Sequence, residues 1–218
     1  MQGIQLTPLV DALSDKMTVS GTATSELVVK GRGFSGPQLA SALTGAGAIA
    51  VKDGKVEGVN VLQEALALLQ AVGVTVDPVK ATAFSSLTGT FAIRGGIVAV
   101  ERLALVSHDV DGTANGTIGF DHAVNLKATL TLSETVSKQI KRNAPAVKVM
   151  TAGDRIAIPM IVTGTIESPS YGLDTKAVAG AIQERVREEV RDVVSDVLKG
   201  EPLDVEKGKK ALKRLFGQ

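Results

Sequence analysis

The chain has two histidines, His108 in "SHDVD" and His122 in "FDHAV", and each stands beside acids. Ser107, His108 and Asp109 supply a nucleophile, a base and an acid in consecutive positions. On an extended backbone neighbouring side chains point to opposite faces, so the three do not converge on one reacting atom. The two histidines with Asp109, Asp111 and Asp121 offer metal-binding atoms only if both turns meet at one end of a hairpin. Aspartate in a turn has a simpler use, bonding its own backbone, and no metal is assigned. "DVDGTANGTIGF" resembles a calcium loop, but Ala114 stands where the sharp turn needs Gly and Phe120 where a bidentate Glu is needed. Gly45, Gly47 and Ala50 in "LTGAGAIAVKDGK" spell G-x-G-x-x-A. A phosphate cradle follows a strand and opens a helix, whereas these glycines leave a helix and enter a strand, so nucleotide binding is not expected. Glu188, Glu189 and Asp192 lie on the solvated side of a charged helix. No catalytic residue, cofactor or metal is therefore assigned, and the chain is expected not to be an enzyme.

Composition narrows the remaining classes. With 24 basic and 23 acidic residues and a net charge of +1, no field gathers nucleic acid, and none is expected as a partner. Aromatic content of 3%, with no Trp and only Tyr171, removes the stacking platforms of single-stranded nucleic acid or sugar sites. The absence of Cys excludes disulfides and thiolate chemistry. The longest apolar run, Ala65 to Val76, is broken by Gln70 and Gly73 and is too short to span a bilayer. "MQGIQLTPLV" lacks the features of a signal peptide, so either the protein is cytosolic or its targeting segment lies outside this chain.

Any site must be positioned by strands. Met17 to Gly33 alternates apolar and polar residues, and Ser35, as N-cap, with Pro37 in the first turn opens a short helix that ends near Gly45. Ala46 to Lys52 reads as a strand, Asp53-Gly54 as a hairpin turn and Lys55 to Val59 as the return. "LTGTFAIRGGIVAV", Leu87 to Val100, repeats that plan. Between the two, Asn60 caps a helix with an apolar stripe of Val61, Leu62, Ala65, Leu66, Leu69 and Val72, with Gln63 in the capping-box position. Strands follow over Thr82 to Arg94, Ile97 to Ser107, Val110 to Phe120 and Val124 to Ser133, then a helix over Glu134 to Asn143 and a strand over Arg155 to Ile166. Pro159 marks an edge or a bulge in that last strand. Asp174 caps a helix with Val178, Ile182, Val186 and Val190 in a narrow stripe, and a basic amphipathic segment runs from Asp204 to Phe216. The connections are of hairpin length, so the expected fold is α+β: a curved, mostly antiparallel meander or groove with short inserted helices and a C-terminal amphipathic helix. Residues 1–173 form the β-rich domain and 174–218 a helical tail.

The cleanest strand puts Val124, Leu126, Ala128, Leu130 and Leu132 on one face. Burying its four large side chains is worth on the order of 6 to 12 kcal/mol, so the face does not stay in water. A sheet of about ten strands is roughly 50 Å wide, whereas a helix of about 12 residues covers ~18 Å. The apolar face is then either the domain core under the chain's own helices or a surface that accommodates acyl chains, lined by Leu126, Leu130, Leu132, Ile158, Met160 and Val162.

"LTGAGAIAVKDGKVEGVNV", "TAFSSLTGTFAIRGGIVAVERLALVSHDVDGTANGTIGFDHAVNLKATLTL" and "IPMIVTGTIESPSYGLD" resemble the C-terminal region of the AsmA family of Gram-negative envelope proteins, over about Ile4 to Asp174. The resemblance implies an upstream inner-membrane anchor absent from this chain, a body in the periplasm, and a part in outer-membrane assembly or envelope lipid homeostasis. It implies phospholipid or another acyl-chain lipid as ligand, and no catalytic motif. The alternative is a non-catalytic scaffold that meets other envelope proteins through the Lys176 to Leu198 helix or a sheet edge.

Overall fold

A computed structural model of the chain describes residues 2–5, 18–57, 82–143 and 150–198, together with 63, 66–68 and 70. Among the described residues ten strands form one open, curved sheet: β1 (Gln2–Gln5), β2 (Thr18–Lys30), β3 (Thr44–Glu57), β4 (Thr82–Arg94), β5 (Ile97–Val106), β6 (Val110–Gly119), β7 (Val124–Leu132), β8 (Thr151–Ala152), β9 (Arg155–Gly164) and β10 (Pro169–Leu173). Every pairing is antiparallel, and the order across the sheet is the chain order except that β8 pairs only with β9. Three helices carry labels: α1 (Gly36–Ala42), α2 (Glu134–Asn143) and α3 (Thr175–Leu198).

The boundaries follow from local chemistry. Gly95 and Gly96 both take positive φ in the β4–β5 turn, a conformation glycine adopts without a steric penalty. At the β5–β6 turn, Ser107 Oγ donates to the Val110 carbonyl at 2.6 Å and accepts the Val110 N–H at 3.2 Å. Ser35 stands at the N-cap of α1 in an extended conformation without a side-chain cap bond; instead, Gln38 Oε1 accepts the N–H of Phe34. At the start of α3, Asp174 caps as expected, its carboxylate accepting the Ala177 N–H at 3.0 Å.

One expected hairpin is absent. Asp53-Gly54 does not turn the chain; β3 runs on through it, paired with β2 on one side and β4 on the other. Asp53 takes the left-handed conformation that an Asp-Gly turn uses, but here it accompanies a register shift against β2 between Ser20 and Thr22. Gly54 lies under Phe84, where an added Cβ would stand 2.2 Å from the ring. The extra residue re-aims the strand instead of reversing it.

Pro159 sits in β9 opposite Thr129. Its carbonyl accepts the Asp174 N–H at 2.9 Å, so its missing donor faces the margin where β10 has just ended and removes no ladder bond. Among the residues expected in the helix after Asn60, 63, 66–68 and 70 are described and are helical apart from the gaps between them; Val61, Leu62, Ala65, Leu69 and Val72 lie outside the described residues, as does the basic segment from Asp204 to Phe216.

The main core lies at one end of β6, β7 and β9. Val110, Leu130, Leu132, Ile156, Ile158 and Met160 meet Ile140 of α2, Leu66 and Met150, with Val136, Tyr171 and Val178 packed around them. A buried hydroxyl fixes α2 to this core. Ser137 has no exposed surface; its Oγ accepts the Ile156 N–H at 2.9 Å and donates to the Leu132 carbonyl at 3.4 Å. Ser137→Ala strands the Ile156 N–H in an apolar setting, and we expect urea denaturation to show a loss of about 1–3 kcal/mol. On the opposite face Arg155 ties three strands together, its guanidinium donating to the Leu132 and Thr131 carbonyls at 2.7 and 2.9 Å and meeting Asp111 at 2.7 Å.

Candidate functional site

Directly opposed residues in an antiparallel sheet share a face, so the register assigns every side chain to one of two surfaces. One surface carries Ala23, Leu27 and Val29 of β2; Val51 and Ile49 of β3; and Leu87, Phe91 and Ile93 of β4. It continues through Val98, Val100, Leu103 and Leu105 of β5, Val110, Ala114 and Ile118 of β6, and Val124 to Leu132 at alternate positions of β7. Ile158, Met160 and Val162 of β9 and Tyr171 and Leu173 of β10 complete it. The other surface carries Thr22, Thr24, Lys52, Thr88, Thr90, Arg102, Thr113, Asn115, Lys127 and Thr129. The first of these sides is predominantly apolar, with Ser25 of β2, opposite Ile49, a polar residue on it.

The expected lining residues all fall on that apolar side, but they divide. Leu130, Leu132, Ile158 and Met160 are buried in the main core, closed over by the chain's own α2 and by Leu66 and Met150. As a lining open to a ligand, these four are corrected: they are core, because a short helix pinned by Ser137 lies directly on them. Leu126 and Val162, opposite one another toward the far ends of their strands, stay half-buried.

Beyond the core the same face continues with less cover. Ile49, Leu87, Phe91, Ile93, Val98, Val100, Leu103 and Leu105 are all half-buried, and Leu27 is 53% exposed. Among the described residues, the buried side chains here belong to a small cluster of Ala23, Val51 and Phe84. Sequence reading passed over these positions, although "IVAVERLALV" holds the signal. Val98 and Val100 share a parity that Leu103 and Leu105 break, and the structure resolves the break as a register shift between Val100 and Leu103 that keeps all four on one face.

Gly45 and Gly47 sit inside this sheet at the start of β3, away from any helix N-terminus. An added Cβ would stand 2.4 Å from the Val28 carbonyl oxygen at Gly45, and 2.7 Å from the Phe91 ring at Gly47. Their role is close approach, as expected. A cavity of ≈ 330 Å³ opens on the polar face instead, lined by Thr24, Glu26, Ala48, Ala50, Thr90 and Arg102 among others.

His108 and His122 occupy turns at opposite ends of β6, about 30 Å apart by strand rise, so the two histidines with Asp109, Asp111 and Asp121 are not brought together. Among the described residues no group of three or more His, Asp or Glu is placed to hold a metal ion. His122, in the left-handed region, contacts Glu167 through Nδ1. The Glu167 carboxyl is held below its usual range, chiefly by a backbone hydrogen bond and further by His122.

The geometry is thus an open antiparallel sheet, sealed over part of one apolar face and half-open over the rest. No family model matches the chain, and neither a curated protein nor a solved structure matches it. Among the described residues no helix is long and apolar enough to cross a membrane.

Proposed function

We propose that the chain is a non-catalytic lipid-binding module whose ligand, a phospholipid or other acyl-chain lipid, lies along the apolar face of β2 to β6. The observation that carries this reading is the continuation of one apolar surface past its own cover: Phe91, Ile93, Val98 and Val100 share the face of the sealed core, lie in rows that run through Val124 and Leu126 at the other end of the strands, and keep contact with solvent. A row of half-buried apolar side chains suits a flexible hydrocarbon chain, which gains by area and needs no directional partner. The resemblance to AsmA-family C-terminal regions supports the setting: a periplasmic body, tethered to the inner membrane in the full-length protein and serving outer-membrane assembly or envelope lipid homeostasis.

Gently purified protein is expected to release phospholipid on solvent extraction and to show lipid adducts by native mass spectrometry. Ile93→Glu together with Val100→Glu places two charges on the half-buried part of this face and is expected to lower lipid occupancy about tenfold or more while circular dichroism shows the sheet retained. Lipid-free wild-type protein, or occupancy indifferent to both charges, sinks the reading.

A second reading rests on α3. Among the described side chains of α3, Val178 near its start packs on the core, while Ile182 and Val190 are exposed. Such a helix suits a scaffold that engages other envelope proteins. Truncation after Asp174 is expected to abolish partner capture and spare lipid if the scaffold role belongs to α3; loss of lipid with partners retained assigns α3 to the groove instead.

A further inference from the structure

The end of the sheet at which β2, β4, β6 and β9 finish is a rim of turns held together by backbone bonds. The Gly95 N–H donates to the Leu43 carbonyl at 3.3 Å, joining the β4–β5 turn to the end of α1. The Phe120 N–H donates to the Gly96 carbonyl at 2.8 Å, and the Ile166 N–H to the His122 carbonyl at 3.0 Å. The four connections at this end are thus linked side by side into one ledge. On it three large apolar side chains face water: Phe34 is fully exposed, Ile97 48% and Phe120 40%. The loop that presents Phe34 is closed on itself, since Gln38 Oε1 accepts the Phe34 N–H at 3.2 Å and the Leu39 N–H donates to the Ser35 carbonyl at 2.9 Å. Strands added at either margin of the sheet would lengthen this rim in its own line and leave its tips outward.

The charge on the rim is one-sided. Residues 30–44 and 94–97 carry Lys30, Arg32 and Arg94 and no acid. All three cations are exposed, and among the described residues none has an ion-pair partner. The register sets two of them on one face in the last row of the sheet, with Lys30 opposite Thr44 and Thr44 opposite Arg94, so they stand about 10 Å apart at the backbone. Long cationic side chains at that spacing can close on a single phosphate. The acids of the rim, Asp121 and Glu167, lie in its other half and are engaged, Asp121 accepting the Ala123 N–H and Glu167 meeting His122. Exposed apolar tips among unpaired cations suit a bilayer surface, where the first enter the headgroup boundary and the second meet phosphates.

We propose that this rim docks on an anionic phospholipid bilayer, with Phe34 inserted at the level of the headgroups and Lys30, Arg32 and Arg94 on lipid phosphates. The inference goes beyond the ligand assigned above, because it concerns the strand ends instead of the sheet face and stands whether or not that face holds a lipid.

Flotation of the full chain with vesicles of equal parts phosphatidylglycerol and phosphatidylcholine provides the test. Wild-type protein is expected to float with them, to stay behind with pure phosphatidylcholine, and to lose most of its binding at about 1 M salt, where the Debye length falls to about 3 Å. Arg32→Gln with Arg94→Gln is expected to weaken binding about twentyfold, at about fivefold for each cation. Phe34→Ser is expected to weaken it about fivefold or more. All three residues are exposed, so circular dichroism is expected to stay unchanged. Because the chain has no Cys, an environment-sensitive dye on Phe34→Cys reports insertion, as a blue shift when the anionic vesicles are added. Three results overturn the proposal. Wild-type protein that does not float removes the bilayer. Flotation indifferent to the Arg pair and to Phe34→Ser assigns binding to the basic segment from Asp204 to Phe216. A dye at position 34 already shielded before vesicles are added means that another segment of the chain, or a second copy, covers the rim. Flotation and copurified lipid are separate readouts, so this proposal and the ligand reading fail separately.

Discussion

Leu132→Ala is expected to lower the free energy of unfolding by about 2–5 kcal/mol, a large share of the roughly 5–15 kcal/mol that holds a domain together. Leu132 is fully buried in the main core and lies at the end of β7, where Ser137 and Arg155 both bond its carbonyl. Its neighbours are therefore fixed and collapse little into the space the side chain leaves. Val100→Ala on the same face is expected to cost about 1 kcal/mol or less, since the half-buried Val100 already shares its surroundings with solvent. Urea denaturation of the two variants measures the division between sealed and open parts of the face. Equal losses would mean that Val100 is packed as tightly as Leu132, and the ligand surface would vanish with the difference.

A still sharper backbone effect is expected at Gly116 in β6. Its φ is +140°, and an added Cβ would stand 2.2 Å from the Asn125 carbonyl oxygen and 2.9 Å from the Leu126 Cα. Both are backbone atoms of the neighbouring strand, so relief requires β6 and β7 to separate. Gly116→Val is expected to cost about 3 kcal/mol or more and to lower soluble yield. Gly172 in β10 has nothing within 4 Å of the same built atom, and Gly172→Ala is expected to be neutral or stabilising by up to about 1 kcal/mol. Thermal unfolding of the pair distinguishes a steric requirement from a general intolerance of side chains in the sheet.

The strands were legible where two independent signals coincided. Val110 to Phe120 and Val124 to Ser133 combined period-two alternation with Gly or Asp turn chemistry, and the observed strands end within a residue of those limits. Asp53-Gly54 misled because the dipeptide encodes a backbone conformation, and the left-handed residue it supplies serves a shifted ladder as readily as a turn. Only the β2 and β4 registers decide between them, and those pairings are non-local. β10 is not legible locally, since Pro169 and Gly172 both disfavour a strand and the pairing with β9 is what holds the segment extended. The six lining residues were assigned to the right face on alternation alone. Which of them would be covered was not legible, because it depends on where α2 lands, and that is fixed by the bond from the Ile156 N–H to Ser137 together with the burial of Ile140 in a mostly polar helix.

Because spatial order follows chain order from β1 to β7, each of these strands needs only its immediate predecessor to find its place. Such a layout is modular in pairs: excising or duplicating one up-and-down unit returns the polypeptide to the same end of the assembly, pointing the same way, with the oily and wet sides unchanged. The width of the ribbon is thus a free parameter of this design, open to lengthening by gene-level duplication without any rerouting of the remaining backbone.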